Sequence, residues 1–155
     1  MIEDLATIIA GHPLFTGLPG DVAALVAGCA HNVAFARDQW VLREGEAADT
    51  LYLLRRGRVA LEITSPKGPL LIETLDAGSV IGWSWLFPPY RWALDARAVE
   101  PVGAIAVDAR CLRDKADRDP AFGYALLQRL VGVVVDRLQA TRLRLIDVYG
   151  DGASR

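Results

Sequence analysis

The residues best suited to holding a ligand are concentrated in one stretch, Gly78-Ser79-Val80-Ile81-Gly82-Trp83-Ser84-Trp85-Leu86-Phe87-Pro88-Pro89-Tyr90-Arg91. Trp83, Trp85, Phe87, Tyr90 and Trp92 are five of the chain's twelve aromatics and include three of its four tryptophans. A glycine that follows a short strand and opens a turn-length helical piece aims successive backbone N–H groups the same way, and such a concavity holds anions. Arg91 adds a guanidinium able to grip phosphate or carboxylate with two bonds. Each well-formed charge-assisted bond contributes roughly 1.5–3 kcal/mol, so backbone amides and one arginine suffice for a phosphate cradle. The candidate ligand-binding residues are therefore Ile81, Gly82, Trp83, Ser84, Trp85, Arg91 and Trp92. The tryptophans carry two readings: they line an apolar pocket or stack on a ring, or they fill the interior where a ligand would sit.

Other chemistries find little support. The chain has two histidines, and Cys29-x-His31 is the sole pairing with ligand-like spacing, which does not make a metal site. No nucleophile elbow, phosphate-binding P-loop or Gly-x-Gly-x-x-Gly segment is present. The expectation is a non-enzymatic protein with no metal. A net charge of -2 supplies no general positive field for nucleic acid or an anionic membrane.

The surrounding elements must position the ligand segment. At 155 residues, 52% apolar and 23% charged, the chain fits one compact domain. Apolar spacing over 4–29, broken at Gly11-His12-Pro13 and Gly17-Leu18-Pro19-Gly20, predicts two short helices. From Val33 to Val107, short runs rich in Val, Ile, Leu, Trp and Tyr alternate with turns such as Glu44-Gly45-Glu46 and Arg56-Gly57. This pattern predicts strands at 33–36, 39–43, 50–55, 58–64, 69–75, 80–82, 92–99 and 102–107, an all-β sandwich or barrel. Gly45 and Gly57 read as turn glycines with positive φ. Asp108 reads as the N-cap of a short helix to about Ala116, and Asp119-Pro120 opens a long one to Tyr149, ended by Gly150. The organisation is one domain over 1–149, with a β-roll at about 33–107, helices at about 108–149 and a flexible tail over 150–155.

The order of two short helices, an eight-strand roll, Gly78-x-x-Ile81-Gly82, a downstream arginine and a long closing helix resembles the cyclic nucleotide-binding domain, specifically a Crp/Fnr-like sensor domain without a helix-turn-helix. Leu14-Phe15-x-Gly17-Leu18, Leu42-Arg43-Glu44-Gly45-Glu46, Leu51-Tyr52-Leu53-Leu54-x-x-Gly57-x-Val59 and Asp119-Pro120 carry the resemblance along nearly the whole chain. It implies a double-stranded β-helix, a jelly-roll of cupin-like type, with N-terminal helices and a long C-terminal helix. It further implies a cyclic nucleotide, cAMP or cGMP, bound inside the roll, and no other cofactor. The family's nucleotide binders carry a ribose-binding glutamate directly after the cassette glycine, where this chain has Trp83. Loss of that acceptor costs about 2 kcal/mol, or roughly 30-fold in affinity. Arg91 lies about one residue out of register with the family's phosphate arginine when counted from Ala96-Arg97-Ala98, so Arg97 is the second candidate. The expected function is a stand-alone regulatory module that binds a cyclic nucleotide weakly or another small anionic or aromatic ligand; the alternative is a ligand-free protein-interaction module.

Apolar residues on more than one side of the last helix predict a homodimer through 120–149. Arg137, Arg142 and Arg144 alternate with Asp136 and Asp147, which reads as a solvated face, so direct nucleic-acid binding is not expected. About twenty residues are needed for two further helices and their turn, and six follow Tyr149. A role in transcription would therefore require a partner protein. Two cysteines and the lack of a signal peptide or an apolar span predict a cytoplasmic protein with both thiols free and buried.

Overall fold

The structure is a computed structural model that describes residues 4–153. Asp4 caps helix α1 (Leu5–Ala10) by accepting a hydrogen bond from the Thr7 amide at 2.8 Å. The Gly11-His12-Pro13 break is held by the buried His12 ring. Its Nδ1 accepts from the Leu14 amide at 3.2 Å, which leaves Nε2 to carry the proton and donate to the Leu54 carbonyl at 3.3 Å. Helix α2 (Gly20–Ala27) then buries Val22, Ala23 and Val26.

Eight strands follow: β1 (Ala30–Phe35), β2 (Trp40–Leu42), β3 (Thr50–Arg56), β4 (Val59–Ser65), β5 (Gly68–Leu75), β6 (Val80–Ile81), β7 (Asp95–Ala98) and β8 (Val102–Asp108). They form two four-stranded antiparallel sheets, ordered β1-β8-β3-β6 and β2-β7-β4-β5, with Leu51, Leu53, Val59, Leu61, Ala96 and Ile105 in the shared core. The two-sheet roll with flanking helices is the fold the sequence predicts. β1 starts earlier than expected because Ala30 already pairs with Val107 of β8. The run expected over 92–99 divides: Asp95–Ala98 pairs with β2 and β4, while residues 90–92 form a separate ladder with 45–48. Gly45 and Gly57 have the expected positive φ, and a Cβ on Gly57 would lie 2.3 Å from the Pro101 carbonyl oxygen.

Asp108 caps helix α3 (Ala109–Arg118) through the Cys111 amide at 2.8 Å, and Asp119 accepts from Phe122 at 3.2 Å as α4 (Pro120–Ala153) begins. At 34 residues, α4 extends about 51 Å. Gly150 does not end it; the helix runs on to Ala153, into the segment expected as a tail. Phe122, Leu126 and Leu130 are buried, whereas Tyr124, Leu127, Val131, Val134 and Leu138 face outward. No helix among the described residues is long and apolar enough to cross a membrane.

The expectation of two free thiols is corrected: Cys29 and Cys111 form a disulfide with Cα atoms 5.7 Å apart. The Asp108 amide bonds the Cys29 carbonyl at 2.9 Å, and Lys115 Nζ donates to the Leu25 carbonyl at 2.6 Å. These contacts hold α3 beside the end of α2 and bring the two sulfurs together. The bond also removes the argument for a reducing compartment drawn from cysteine number.

The bridge links positions 82 residues apart, and constraining the unfolded chain over that distance contributes about 4.5 kcal/mol in the loop-entropy account. Replacing both cysteines with alanine is expected to lower unfolding stability by most of that amount, read from urea titration of the oxidised and double-variant proteins. The second prediction concerns His12, whose pKa burial pushes below the ordinary 6.5 despite bonds to the Leu54 and Ser79 backbone. Below that pH the unfolded chain takes up a proton that folded His12 refuses, so stability is complete above about 6.5 and falls as pH drops toward the folded value. The urea midpoint at about pH 5 should sit further below that at about pH 7.5 in the native chain than in His12→Gln.

Candidate functional site

β6 ends at Ile81, and Gly82 turns the chain into a single 3-10 turn at Ser84–Leu86. Gly82 has φ +95°, and a Cβ there would lie 2.7 Å from Cη2 of Trp92 and 3.0 Å from the Thr50 carbonyl oxygen. Only glycine lets the backbone approach the indole this closely. The Gly82 carbonyl accepts the Trp85 indole N–H at 3.0 Å, which satisfies the one polar atom of a ring 1% exposed.

Between this turn and the roll lies a cavity of about 80 Å³. Ile81, Gly82, Trp83, Ser84, Trp92 and Leu94 line it, and Arg137 reaches it from α4. Five of the seven residues expected at the site are thus brought together: Ile81, Gly82, Trp83, Ser84 and Trp92. Trp85 turns the other way and, with Leu112, Leu126 and Leu130, lines a separate apolar cleft of about 350 Å³ under α3 and α4.

The arginines divide differently from the expectation. Tyr90 and Trp92 bond to the backbone of residues 45–48: the Ala48 amide donates to the Tyr90 carbonyl at 2.8 Å and the Trp92 amide to the Glu46 carbonyl at 3.0 Å. Successive side chains of such an extended segment point to opposite faces. Trp92 turns inward, so Arg91 turns outward, is exposed, and donates from Nη1 to the Gly45 carbonyl at 2.8 Å. Arg97 is held by the buried Glu62 at 2.8 Å and by Asp38 at 3.0 Å, and the Glu62 bond leads in pushing its pKa upward. Its charge is engaged within the β4–β7 sheet.

Arg137, expected on a solvated face, instead enters the pocket. Its guanidinium lies 4.6 Å from the centroid of the Trp83 ring and donates to the Val80 carbonyl. The signal for this lay in helical period: Phe122, Leu126, Leu130, Val133 and Arg137 recur on one stripe of α4. Desolvation pushes the Arg137 pKa down, and the Glu73 carboxylate, which lines a neighbouring groove with Arg137, opposes that shift. The cavity lining includes no carboxylate. Cys29, the proposed partner of His31, is in the disulfide, and no group of three His, Cys, Asp or Glu suited to a metal occurs among the described residues.

A family profile for the cyclic nucleotide-binding domain matches residues 32–119, more than half of the chain. The chain belongs to that family. It is 27% identical over 142 residues to a CRP-like cAMP-activated global transcriptional regulator of Mycobacterium tuberculosis, covering 91% of this chain and 62% of that protein. The chain therefore spans about three fifths of the curated relative's length. Among solved structures, the N-terminal domain of a transcriptional regulator from Streptomyces coelicolor is 27% identical, with a TM-score of 0.67 over 89% of this chain and 94% of that one. A cyclic nucleotide-binding domain from Methylobacillus flagellatus, 22% identical, shares the fold at a TM-score of 0.79 over 93% and 82% of the two chains. Within this cyclic nucleotide-binding domain, the turn from Gly82 to Leu86 stands at the mouth of the roll with α4 laid across it, and an indole rather than a carboxylate follows the glycine.

Proposed function

We propose that the chain is a non-catalytic regulatory module in which a small anionic or aromatic ligand at the Gly82–Leu86 turn is read out by α4, and in which α4 pairs with that of a second copy. The observation that carries this reading is the insertion of Arg137 of α4 between the Trp83 ring and the Val80 carbonyl. A ligand entering the pocket displaces or recruits that side chain, so its binding energy biases the position of the helix to the extent that the two helix positions bind it differently. The curated relative is named as cAMP-activated, which supports a cyclic nucleotide as the first ligand to test.

The small pocket favours a second reading. Cavities that enclose a drug-sized ligand span about 300–1,000 Å³, whereas this one is about 80 Å³, with Trp92 filling the adjoining core and Arg91 outside. A ligand-free interaction module would have this interior, with the exposed Phe87 and Tyr90 available to a protein partner.

Pairing of α4 is supported by its outer face. Tyr124, Leu127, Val131, Val134, Leu138, Leu145 and Val148 are exposed, and with Thr141 they alternate three and four residues apart, the seam of a two-stranded coiled coil.

Titration of the protein with cAMP and with cGMP, followed by calorimetry and tryptophan emission, tests the ligand reading. A saturable change with either one supports a responsive module, and its loss in Arg91→Ala would show that Arg91 turns inward on binding. Silence toward both, and toward the smaller anion tested below, favours the ligand-free module. For the pairing, light scattering at micromolar concentration should give twice the chain mass, falling to one chain in Val134→Glu/Leu138→Glu; a monomeric native protein would end the dimer proposal.

A further inference from the structure

Arg91, Arg97 and Arg137 are the arginines to weigh for this pocket, and their surroundings assign them different work; Arg113 donates to the Trp85 carbonyl and lines the separate cleft under α3 and α4. Arg91 bonds a backbone carbonyl on the outside, and Arg97 is neutralised by Glu62 and Asp38. Arg137 alone of the three lines the pocket, and no ion-pair partner is found for it among the described residues. Its contacts are an indole face and one carbonyl oxygen; Glu73 and Asp136 line a neighbouring groove with it, but neither forms an ion pair with the largely desolvated guanidinium. A desolvated cation without a close ion pair gains from an anion delivered to it. Desolvation already depresses its pKa.

The rest of the lining describes that anion. Leu42, Leu61, Ile81, Trp92 and Leu94 offer apolar surface, and Trp83 offers a flat ring already stacked on the cation. A water needs about 10–15 Å³ of such space, so the cavity of about 80 Å³ holds roughly six water-sized groups. That is room for about one six-membered ring, whose charged group would then stand at Arg137, and too little for base, sugar and phosphate together. We propose that Arg137 is the anion-binding group of this pocket and that its ligand is a compact aromatic carboxylate. The ring lies among Trp83, Ile81 and Trp92, and the carboxylate takes a two-bond contact from the guanidinium in place of the Val80 carbonyl. The assignment rests on the regulatory reading above and gives it a lever: binding exchanges a bond between α4 and β6 for one between α4 and the ligand.

Benzoate is the probe, with benzamide as its uncharged counterpart, titrated into the full chain by calorimetry and tryptophan emission. Benzoate is expected to bind saturably and benzamide about tenfold or more weakly, because the amide leaves the guanidinium unpaired. Arg137→Gln should weaken benzoate by about the same factor while leaving benzamide unchanged, and Arg91→Ala should leave benzoate binding intact. Equal affinity for benzoate and benzamide overturns the assignment using the unaltered protein alone, so a failure of Arg137→Gln to fold does not protect it. Survival of benzoate binding in Arg137→Gln, or its loss in Arg91→Ala, also overturns it. Failure of benzoate while cAMP or cGMP binds overturns the assignment and leaves the regulatory reading standing. Silence toward benzoate, cAMP and cGMP alike removes both.

Discussion

The close packing of Gly82 against the Trp92 indole sets the geometry of the end of the roll where the Gly82–Leu86 turn meets α4. With no Cβ and a φ of +95°, Gly82 brings the backbone within contact distance of a large buried ring. Its carbonyl then fixes Trp85 through the indole N–H, and Trp85 packs beneath α3 and α4. One glycine thus places two tryptophans on opposite sides of the turn. The first closes the roll's interior and the second provides part of the floor on which the closing helices lie. The position of α4 over the mouth follows from this arrangement, together with the buried stripe of Phe122, Leu126 and Leu130.

Charge follows packing. Burial of Trp92 forces its neighbour Arg91 outward, because an extended segment cannot turn both side chains the same way. Glu62 is buried in β4 and must be paired, which commits Arg97. Asp95, also buried, accepts the Glu44 amide at 2.7 Å and lies 3.6 Å from Arg43, so it ties the β2–β3 connection to β7. After these pairings, the cation left at the pocket comes from α4. The pocket and the long closing helix thus share a residue, Arg137.

The disulfide adds a second constraint on the same helices. Cys29 ends the N-terminal helical pair and Cys111 lies in the first turn of α3, so the bond fixes α3 to the roll while α4 departs from its far end. Arg144 donates to the Ile72 carbonyl of β5 near the outer part of α4. Between these points the roll holds α4 mainly through its apolar stripe and Arg137, and the opposite side displays an apolar seam.

The sequence by itself determined the element order and the roll, because period-two apolar runs, turn glycines and capping aspartates act over a few residues. It also singled out the segment that lines the pocket beside α4, since a glycine after a short strand and a cluster of tryptophans are local features. Ile81, Gly82, Trp83, Ser84 and Trp92 do meet at one cavity. Gly150 misled as a stop because a long helix accommodates a glycine at about 1 kcal/mol. What only the tertiary structure decided was the direction of side chains and the partners of groups far apart in sequence. The Cys29–Cys111 bond, the outward turn of Arg91, the commitment of Arg97 and the entry of Arg137 each depend on contacts across 35 to 82 residues. Such contacts exist once the sheets and helices have packed, because burial then sets which charges must be paired and which cysteines can touch.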